Sequence, residues 1–506
     1  MVIGTDPDLS NLYEKALEST FGFNPAYGSI KPVHIANGIS RRIIGMTYDT
    51  LALNRLLRWD HQRNQPNLIV QDYGDSFSPN DIVGEVDRGR LENLRMLLRE
   101  LFAADGAVFP SDARGQDRWS SYTLSNRHFV TGDPSDRGVG NLLVKALEIN
   151  GSQGVIDAIR TWLDDTHDPW TTLAQPFLKL STGRRYTSEH DGTISDAVED
   201  SDGTLSSKTL RKFCDAMECL VAFENQHLDK INSLRRLVTL SCFCCYLFLA
   251  RRGSELRTGN EFAAEPPVFL DLLAGRVDSI KFASQASYKG ALQATEQVIK
   301  RGLTGQIRTI LGSDSITDND AMSFIGSMRL PTRGRTADRL QQDRNRYLSR
   351  YQSLQAGGGY SVFESLVRAT TESAFESLAS TPMGFMREIG RRTGFLAPWS
   401  TRAESKRYSI SNEFLEVLVI STIRVGERLE FPEFLELLRE KFGIVTGTTD
   451  EIDIIRCNNL NQQPFGPPIN VTENDLRRNY ETFRDRLCDI GYATTYADGT
   501  TVVLVE

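Results

Sequence analysis

Apolar residues recur at helical spacing along most of this 506-residue chain. Side chains three and four positions apart share one face of a helix, so this spacing predicts helices with one buried face. In the first part of the chain it predicts four helices, over 51–64, 90–106, 139–149 and 154–165. A short apolar run at 67–74 is typical of a strand. Residues 1–186 are therefore expected to form an α-rich domain with some β structure.

An acidic stretch from 187 to 204 contains six Asp and Glu and no Lys or Arg. Such a run is typical of a solvated linker and indicates a domain boundary. A calcium-binding loop is the alternative. However, the sixth position counted from Asp191 is Asp196, where an EF-hand needs glycine.

Long helical patterns dominate the region that follows. Two of them, 206–228 and 231–252, are separated by a short loop and predict an antiparallel helical hairpin. Further helices are predicted over 288–303, 334–355 and 361–379. We expect residues 205–408 to form a helical middle domain.

The most apolar run extends from Leu237 to Ala250 and is flanked by arginine pairs at 235–236 and 251–252. Fourteen residues are too few to span a bilayer, which needs about 20. We therefore predict a helix buried on most sides, with the arginines marking where it reaches water. A membrane role is the alternative.

The last 96 residues, 411–506, show a different order of elements. Ser411 or Asn412 can cap a first helix. A second helix has Pro432 in its first turn and Gly443 after its end, and a third is opened by Thr472. Two β-compatible runs around an Asp498–Gly499 turn close the chain. The pattern predicts three helices and a β-hairpin.

This order resembles a winged-helix domain, and the resemblance covers only residues 411–506. Winged helices commonly place the third helix in the major groove of DNA and the hairpin on its backbone, whereas many others dock proteins. The third helix offers Arg477 and Arg478, but acidic residues balance its arginines, and the hairpin contains no Lys or Arg.

Charge is unevenly distributed along the chain. The net charge is −8, and residues 411–506 alone contain 17 acidic and 9 basic residues, so they carry the whole excess. An acidic surface repels a polyanion over about a Debye length of roughly 8 Å. This favours protein docking or intramolecular packing of the C-terminal domain over DNA contact through Arg477 and Arg478.

Two arginine-rich segments, 329–350 and 387–407, lie upstream, and Phe395 and Trp399 are interspersed in the second. Arginine suits phosphate, and aromatic rings can stack on unpaired bases. The predicted nucleic-acid-binding residues in these segments are Arg333, Arg335, Arg339, Arg344, Arg346, Arg391, Arg392, Arg402, Lys406 and Arg407. Solvated helix faces, or an internal docking site for the acidic C-terminal domain, are the alternatives.

Catalytic signatures are missing from the sequence. It contains no Gly-Lys dipeptide, no H-E-x-x-H and no G-x-S-x-G. Seven cysteines, an odd number, fit reduced thiols better than a disulfide framework. We predict no catalytic residue, no metal and no cofactor. One alternative is a metal site formed by five acids in a loop, namely Asp72, Asp75, Asp81, Glu85 and Asp87.

Taken together, the patterns predict a mainly α, multi-domain protein with minor β structure that ends in a winged-helix-like domain. The polar N-terminus lacks the apolar core of a secretory signal, so a cytoplasmic location without membrane contact is expected. The functional hypothesis is a non-catalytic scaffold or adaptor subunit of a bacterial DNA-processing assembly, of restriction, phage-defence or chromosome-handling type. Its partners would be DNA and other subunits, such as an ATPase or nuclease. The alternatives are a stand-alone winged-helix DNA-binding regulator and a divergent metal-dependent nuclease.

Overall fold

The computed structural model describes residues 7–25, 30–48, 93, 126–165, 183–186, 205, 207–227, 229–256, 266–332, 336–378, 381–399, 405–447 and 470–506. Helices make up 67% of these residues, and the strands are few and short. The predicted mainly α class with minor β structure is confirmed.

Four helices form in the N-terminal part of the described chain: α1 (Leu9–Phe21), α2 (Pro32–Ile44), α3 (Val139–Ile149) and α4 (Gln153–Asp164). Single 3-10 turns lie at Arg127–Phe129 and Pro134–Asp136. Strands β1 (Met46–Tyr48) and β2 (Gly183–Arg185) pair antiparallel. Of the four predicted helices, the two at 139–149 and 154–165 are therefore confirmed. The elements predicted at 51–64, 67–74 and 90–106, and the acidic stretch 187–204, lie outside the described residues.

The middle of the chain contributes seven helices within the described residues: α5 (Lys208–Glu224), α6 (Lys230–Glu255), α7 (Asp278–Leu311), α8 (Asp318–Ser327), α9 (Ala337–Ala356), α10 (Val362–Ser377) and α11 (Pro382–Arg392). Three two-residue strands accompany them: β3 (Val268–Phe269), β4 (Leu396–Ala397) and β5 (Arg407–Tyr408). The predicted hairpin of α5 and α6 is confirmed. Helices α8 and α11 were not predicted, and α7 extends beyond the predicted 288–303 at both ends. The short strands were not predicted either, since two-residue strands are set by tertiary pairing rather than by local pattern.

Helix α6 lies in the interior. Every residue from Leu237 to Ala250 is buried, as predicted. Among the described helices, α6 alone is long and apolar enough to cross a membrane, and 89% of its most apolar window is buried inside the protein. The prediction that the flanking arginines reach water is wrong for Arg251 and Arg252, which are 2% and 1% exposed. Both donate to backbone carbonyls, Arg251 to Phe442 and Arg252 to Thr20, so hydrogen bonds replace their water.

The C-terminal unit, residues 411–506, contains α12 (Asn412–Thr422), β6 (Arg428–Glu430), α13 (Phe431–Phe442), β7 (Ile444–Val445), α14 (Glu473–Asp489), β8 (Ala493–Thr495) and β9 (Thr501–Leu504). Strands β6, β9 and β8 form an antiparallel sheet in that order. Ser411 and Thr472 cap their helices and Gly443 ends α13, as expected. The three helices and the hairpin therefore form where the sequence predicts them.

The C-terminal unit packs against the rest of the protein. Strand β7 pairs in parallel with β3, and α12 packs on α5 and α6. One continuous buried cluster contains side chains from Leu9 to Val505, so it crosses the predicted boundaries near 205 and 411. The division into three domains stays a prediction.

Candidate nucleic-acid interface

A pocket of about 450 Å³ lies where the start of α6, the end of α11 and the start of α12 meet. Four arginines, two glutamates and one tryptophan line it: Arg235, Arg236, Arg391, Arg392, Glu413, Glu416 and Trp399. We call this site the arginine pocket. It combines three separate parts of the chain, so only tertiary structure brings it together.

Two of the predicted binding residues, Arg391 and Arg392, lie in the arginine pocket at the C-terminus of α11. Glu388, one turn earlier, accepts from Arg391 Nη2 at 2.7 Å and from Arg392 Nε at 3.3 Å. The Arg391 guanidinium also lies 4.8 Å from the centre of the Trp399 ring, a cation–π contact. Glu388 thereby holds both arginine side chains in place, and Arg391 lies beside the tryptophan.

On the opposite wall, Arg236 is anchored to a buried acid. Its Nε and Nη2 donate to the two oxygens of Glu224 at 2.5 and 2.9 Å, and its Nη1 lies 3.2 Å from Glu416. Burial opposes the charge of Arg236, but the hydrogen bonds and charge of Glu224 outweigh it and raise the pKa of Arg236. Arg236 therefore stays charged and joins α5 and α6 to the C-terminal unit.

Arg235 is half-buried and also lines the arginine pocket. No hydrogen bond or ion pair joins its guanidinium to another residue in the described parts of the chain. Glu413 also lines the pocket. Hydrogen bonds from the Glu413 backbone and from Ser411 lower the pKa of the Glu413 carboxyl, and the charges of Arg235 and Arg486 lower it further. Glu413 therefore remains an anion and is a counter-charge to Arg235.

The backbone at Gly394 brings the segment after α11 close to the start of α12. Gly394 has φ of 84°, which glycine tolerates best, and a Cβ there would lie 2.5 Å from Ser411 Oγ. The Ser411 amide donates to the Gly394 carbonyl at 2.8 Å. The close approach sets the start of α12, where partial positive charge accumulates, beside the arginines.

Lys406 and Arg407, also predicted as nucleic-acid contacts, are buried and partly buried, respectively. Lys406 is completely buried and donates to the Pro398 carbonyl. Arg407 Nε lies 2.5 Å from Asp271 Oδ2, and that carboxyl is buried. Burial raises the pKa of Asp271, and Arg407 offsets part of the rise. Both cationic side chains therefore make contacts within the protein.

Helix α9 carries the described part of the first arginine-rich segment. Only Tyr347 and Tyr351 of its twenty residues are buried. Arg339 and Arg346 are exposed, whereas Arg344 donates to the carbonyls of Gly326 and Met328. The predicted residues Arg333, Arg335 and Arg402 lie outside the described residues. Helix α9 therefore presents two surface arginines to solvent.

The exposed face of α14 is close to neutral. Arg477 lies 2.8 Å from Glu473, and both side chains are more than half exposed. Arg478 is exposed beside it. The inner face is formed by the buried residues Leu476, Asn479, Phe483 and Leu487. The mixed charge of the outer face leaves little net attraction for phosphate.

The loop acids at 72–87 lie outside the described residues. Within the residues that the structure describes, no three His, Cys, Asp or Glu side chains are grouped closely enough to hold a metal ion.

Arg235 and Arg236 are the pocket residues that sequence reasoning missed as binding candidates. Their only local signal is an arginine pair at the edge of an apolar run. Arg391 and Arg392 stand more than 150 positions later, and nothing in the local pattern of either pair indicates that they share a cavity.

No protein-family model, no curated protein and no solved structure matches this chain. The function therefore has to be inferred from the residues themselves.

Proposed function

We propose that this protein is a non-catalytic, nucleic-acid-associated adaptor subunit of a multiprotein assembly. The observation that carries the proposal is the arginine pocket, which is lined by four arginines and an exposed tryptophan. Arginine is the side chain best suited to phosphate, and aromatic rings stack on bases. The surface arginines Arg339 and Arg346 on α9 add further phosphate contacts.

The C-terminal unit is proposed to be a winged-helix-like docking module. Its element order supports this: three helices and a closing hairpin, with strand β6 between the first two helices, β7 between the last two, and β6 paired with β9 of the hairpin. The inner face of α14 packs on the body, and its outer arginines lie among acids. These features favour protein contact by this unit over DNA contact.

The setting proposed is a cytoplasmic bacterial assembly of restriction, phage-defence or chromosome-handling type. The missing motifs for nucleotide hydrolysis and nuclease chemistry suggest that other chains, such as an ATPase or nuclease, supply those activities. Affinity purification from the native host with mass spectrometry tests this. Co-purified motor or nuclease subunits support the adaptor role, and recovery of this chain alone would contradict it.

Nucleic-acid association is tested by fluorescence anisotropy of the full chain with labelled duplex DNA, single-stranded DNA and RNA. We expect binding that weakens linearly on a log–log plot as salt rises, because counterions are released from phosphate. Arg235→Glu should weaken it. Arg424→Glu changes the net charge equally at an exposed residue just after the end of α12, outside the arginine pocket, and it should leave binding unchanged. No measurable binding at low salt would remove the proposal.

A stand-alone winged-helix regulator is the second candidate, and the strand order β6–β9–β8 favours it. It requires sequence-dependent duplex binding through α14. Replacing Arg477 and Arg478 by alanine should then abolish binding. Unchanged duplex binding by that double variant would exclude the regulator.

A further inference from the structure

We propose that the arginine pocket binds one unpaired nucleotide, with its phosphate at Arg235 and its base stacked on Trp399. This inference rests on the proposed function, because it specifies the form of nucleic acid that the pocket accepts. The pocket volume of about 450 Å³ lies within the range of small-ligand sites, roughly 300–1,000 Å³. Bases in a duplex are stacked on their neighbours, so a base must be unpaired to enter such a site.

The phosphate position is inferred from the contacts that each of the four arginines already makes. Arg236 is bound to Glu224 and Glu416, and Arg391 and Arg392 share Glu388. Arg235 lines the same pocket without an ion pair or hydrogen bond to the described residues. Its planar group can donate two parallel hydrogen bonds to a phosphate. The start of α12 also lines the pocket and contributes partial positive charge to it.

The base position follows from the exposure of Trp399. Five large hydrophobic side chains are exposed among the described residues, and Trp399, at 52%, is the tryptophan among them. Its ring is held by Arg391, whose guanidinium carbon lies 4.8 Å from the ring centre. An aromatic ring that is fixed at a pocket edge and open to solvent is a stacking platform for a base. Size, phosphate donor and stacking platform occur together in one cavity.

The experiment measures anisotropy of a labelled oligothymidylate and of a duplex of equal length with the full chain. We expect the single strand to bind more tightly than the duplex. Trp399→Ala should weaken single-strand binding by about 5- to 150-fold, the range found for loss of one stacking contact. Trp399→Phe should keep most of the affinity, because it keeps a stacking face. Arg235→Ala should weaken binding more than Arg235→Lys, which keeps the charge.

The matched control is Tyr360→Ala. Tyr360 is also exposed and also stacks on an arginine, with the Arg368 guanidinium 3.8 Å from its ring centre, but it lies outside the pocket. Its removal should leave binding unchanged. Intrinsic fluorescence provides a second readout: quenching of the wild type by the strand should be lost in the Trp399→Phe variant.

Free thymidine monophosphate is added as a competitor to distinguish binding of a free nucleotide from binding of a nucleotide within a strand. If it displaces the strand, a single nucleotide is sufficient for the pocket. If it does not, and Trp399→Ala still weakens strand binding, the nucleotide must belong to a strand. Equal affinity for the single strand and the duplex, unaffected by Trp399→Ala, would overturn this inference but would leave the proposed nucleic-acid association intact. No binding to either form would overturn both.

Discussion

The side-chain amide of Asn479 donates a 2.9 Å hydrogen bond to the backbone carbonyl of Leu270, 209 positions earlier in the chain. The same Nδ2 donates to the Thr446 carbonyl at 2.6 Å, and Oδ1 accepts from the Leu272 amide at 2.9 Å. Asn479 is completely buried. One side chain thus satisfies three backbone groups where β3 and β7 end, and it holds α14 on the body.

Replacing Asn479 by alanine should lower the free energy of unfolding by about 2–4 kcal/mol, because buried backbone groups lose their partners. Urea unfolding followed by circular dichroism measures the change. Asn474→Ala is the control, since Asn474 is exposed on the same helix and should change stability by no more than about 0.5 kcal/mol. Equal effects of the two substitutions would show that the Asn479 bonds do not stabilise the fold.

Gly443→Ala should destabilise the protein more than Gly45→Ala. Both glycines end a helix, α13 and α2, with φ of 63° and 64°. A Cβ at Gly45 meets nothing within 4 Å, whereas one at Gly443 would lie 2.0 Å from Nη2 of Arg251. The Gly45 substitution therefore costs only the left-handed backbone, about 1–2 kcal/mol.

The extra cost at Gly443 comes from displacing a buried guanidinium from the Phe442 carbonyl. Thermal and urea unfolding of the two variants measure the difference in stability. Similar losses would mean that Arg251 can move without cost.

Glu224→Ala should lower stability by about 3–5 kcal/mol, because it leaves Arg236 largely buried without its main partner. Glu224 is completely buried and also accepts from Ser233 Oγ at 2.5 Å. Equilibrium unfolding in urea is the measurement. The matched control is Glu473→Ala, which breaks an exposed pair with Arg477 and should cost less than about 1 kcal/mol. A small effect at Glu224 would argue that water reaches Arg236.

Lys406 should make stability depend on pH in the alkaline range. Burial, together with the charges of Arg391 and Arg387, lowers the pKa of Lys406 from 10.5 to about 8, and Glu388 opposes part of this shift. Between about pH 8 and 10.5 the unfolded chain binds more protons at this site than the fold does. The contribution of Lys406 to the free energy of unfolding therefore rises with pH across that window. Below about pH 8 Lys406 is protonated in both states, so the free-energy cost of holding its charge in the fold is present in full.

The test compares unfolding free energies of the wild type and Lys406→Met from pH 7 to 10. As pH rises, the free energy of unfolding of the wild type should increase relative to that of the variant. Other titrating groups are common to both chains and cancel in the difference. Parallel curves would contradict the lowered pKa.

Local signals predicted much of this structure. Thr472, Pro432 and Gly443 lie at the helix ends that their chemistry favours, and the apolar run 237–250 is buried. These features depend on neighbours within one or two turns, so a single sequence contains them. The two-residue strands, by contrast, exist only because distant segments supply a pairing edge.

The candidate site was predicted in part. Arg391 and Arg392 were chosen because arginines and aromatics cluster near them, and they do line the pocket. Lys406 came from the same cluster but does not line the pocket, and all three side chains are buried. Basic composition indicates charge but not exposure, and exposure depends on what packs against each side chain.

The sequence by itself determined the helical class, the helix ends at Ser411, Gly443 and Thr472 and the acidity of residues 411–506, because periodicity, capping chemistry and charge are local properties. Only the tertiary structure decided that Arg235 and Arg236 meet Arg391, Arg392 and Trp399, and that Asn479 faces Leu270. Contacts between residues more than a hundred positions apart depend on how whole helices pack, and local patterns do not contain that information.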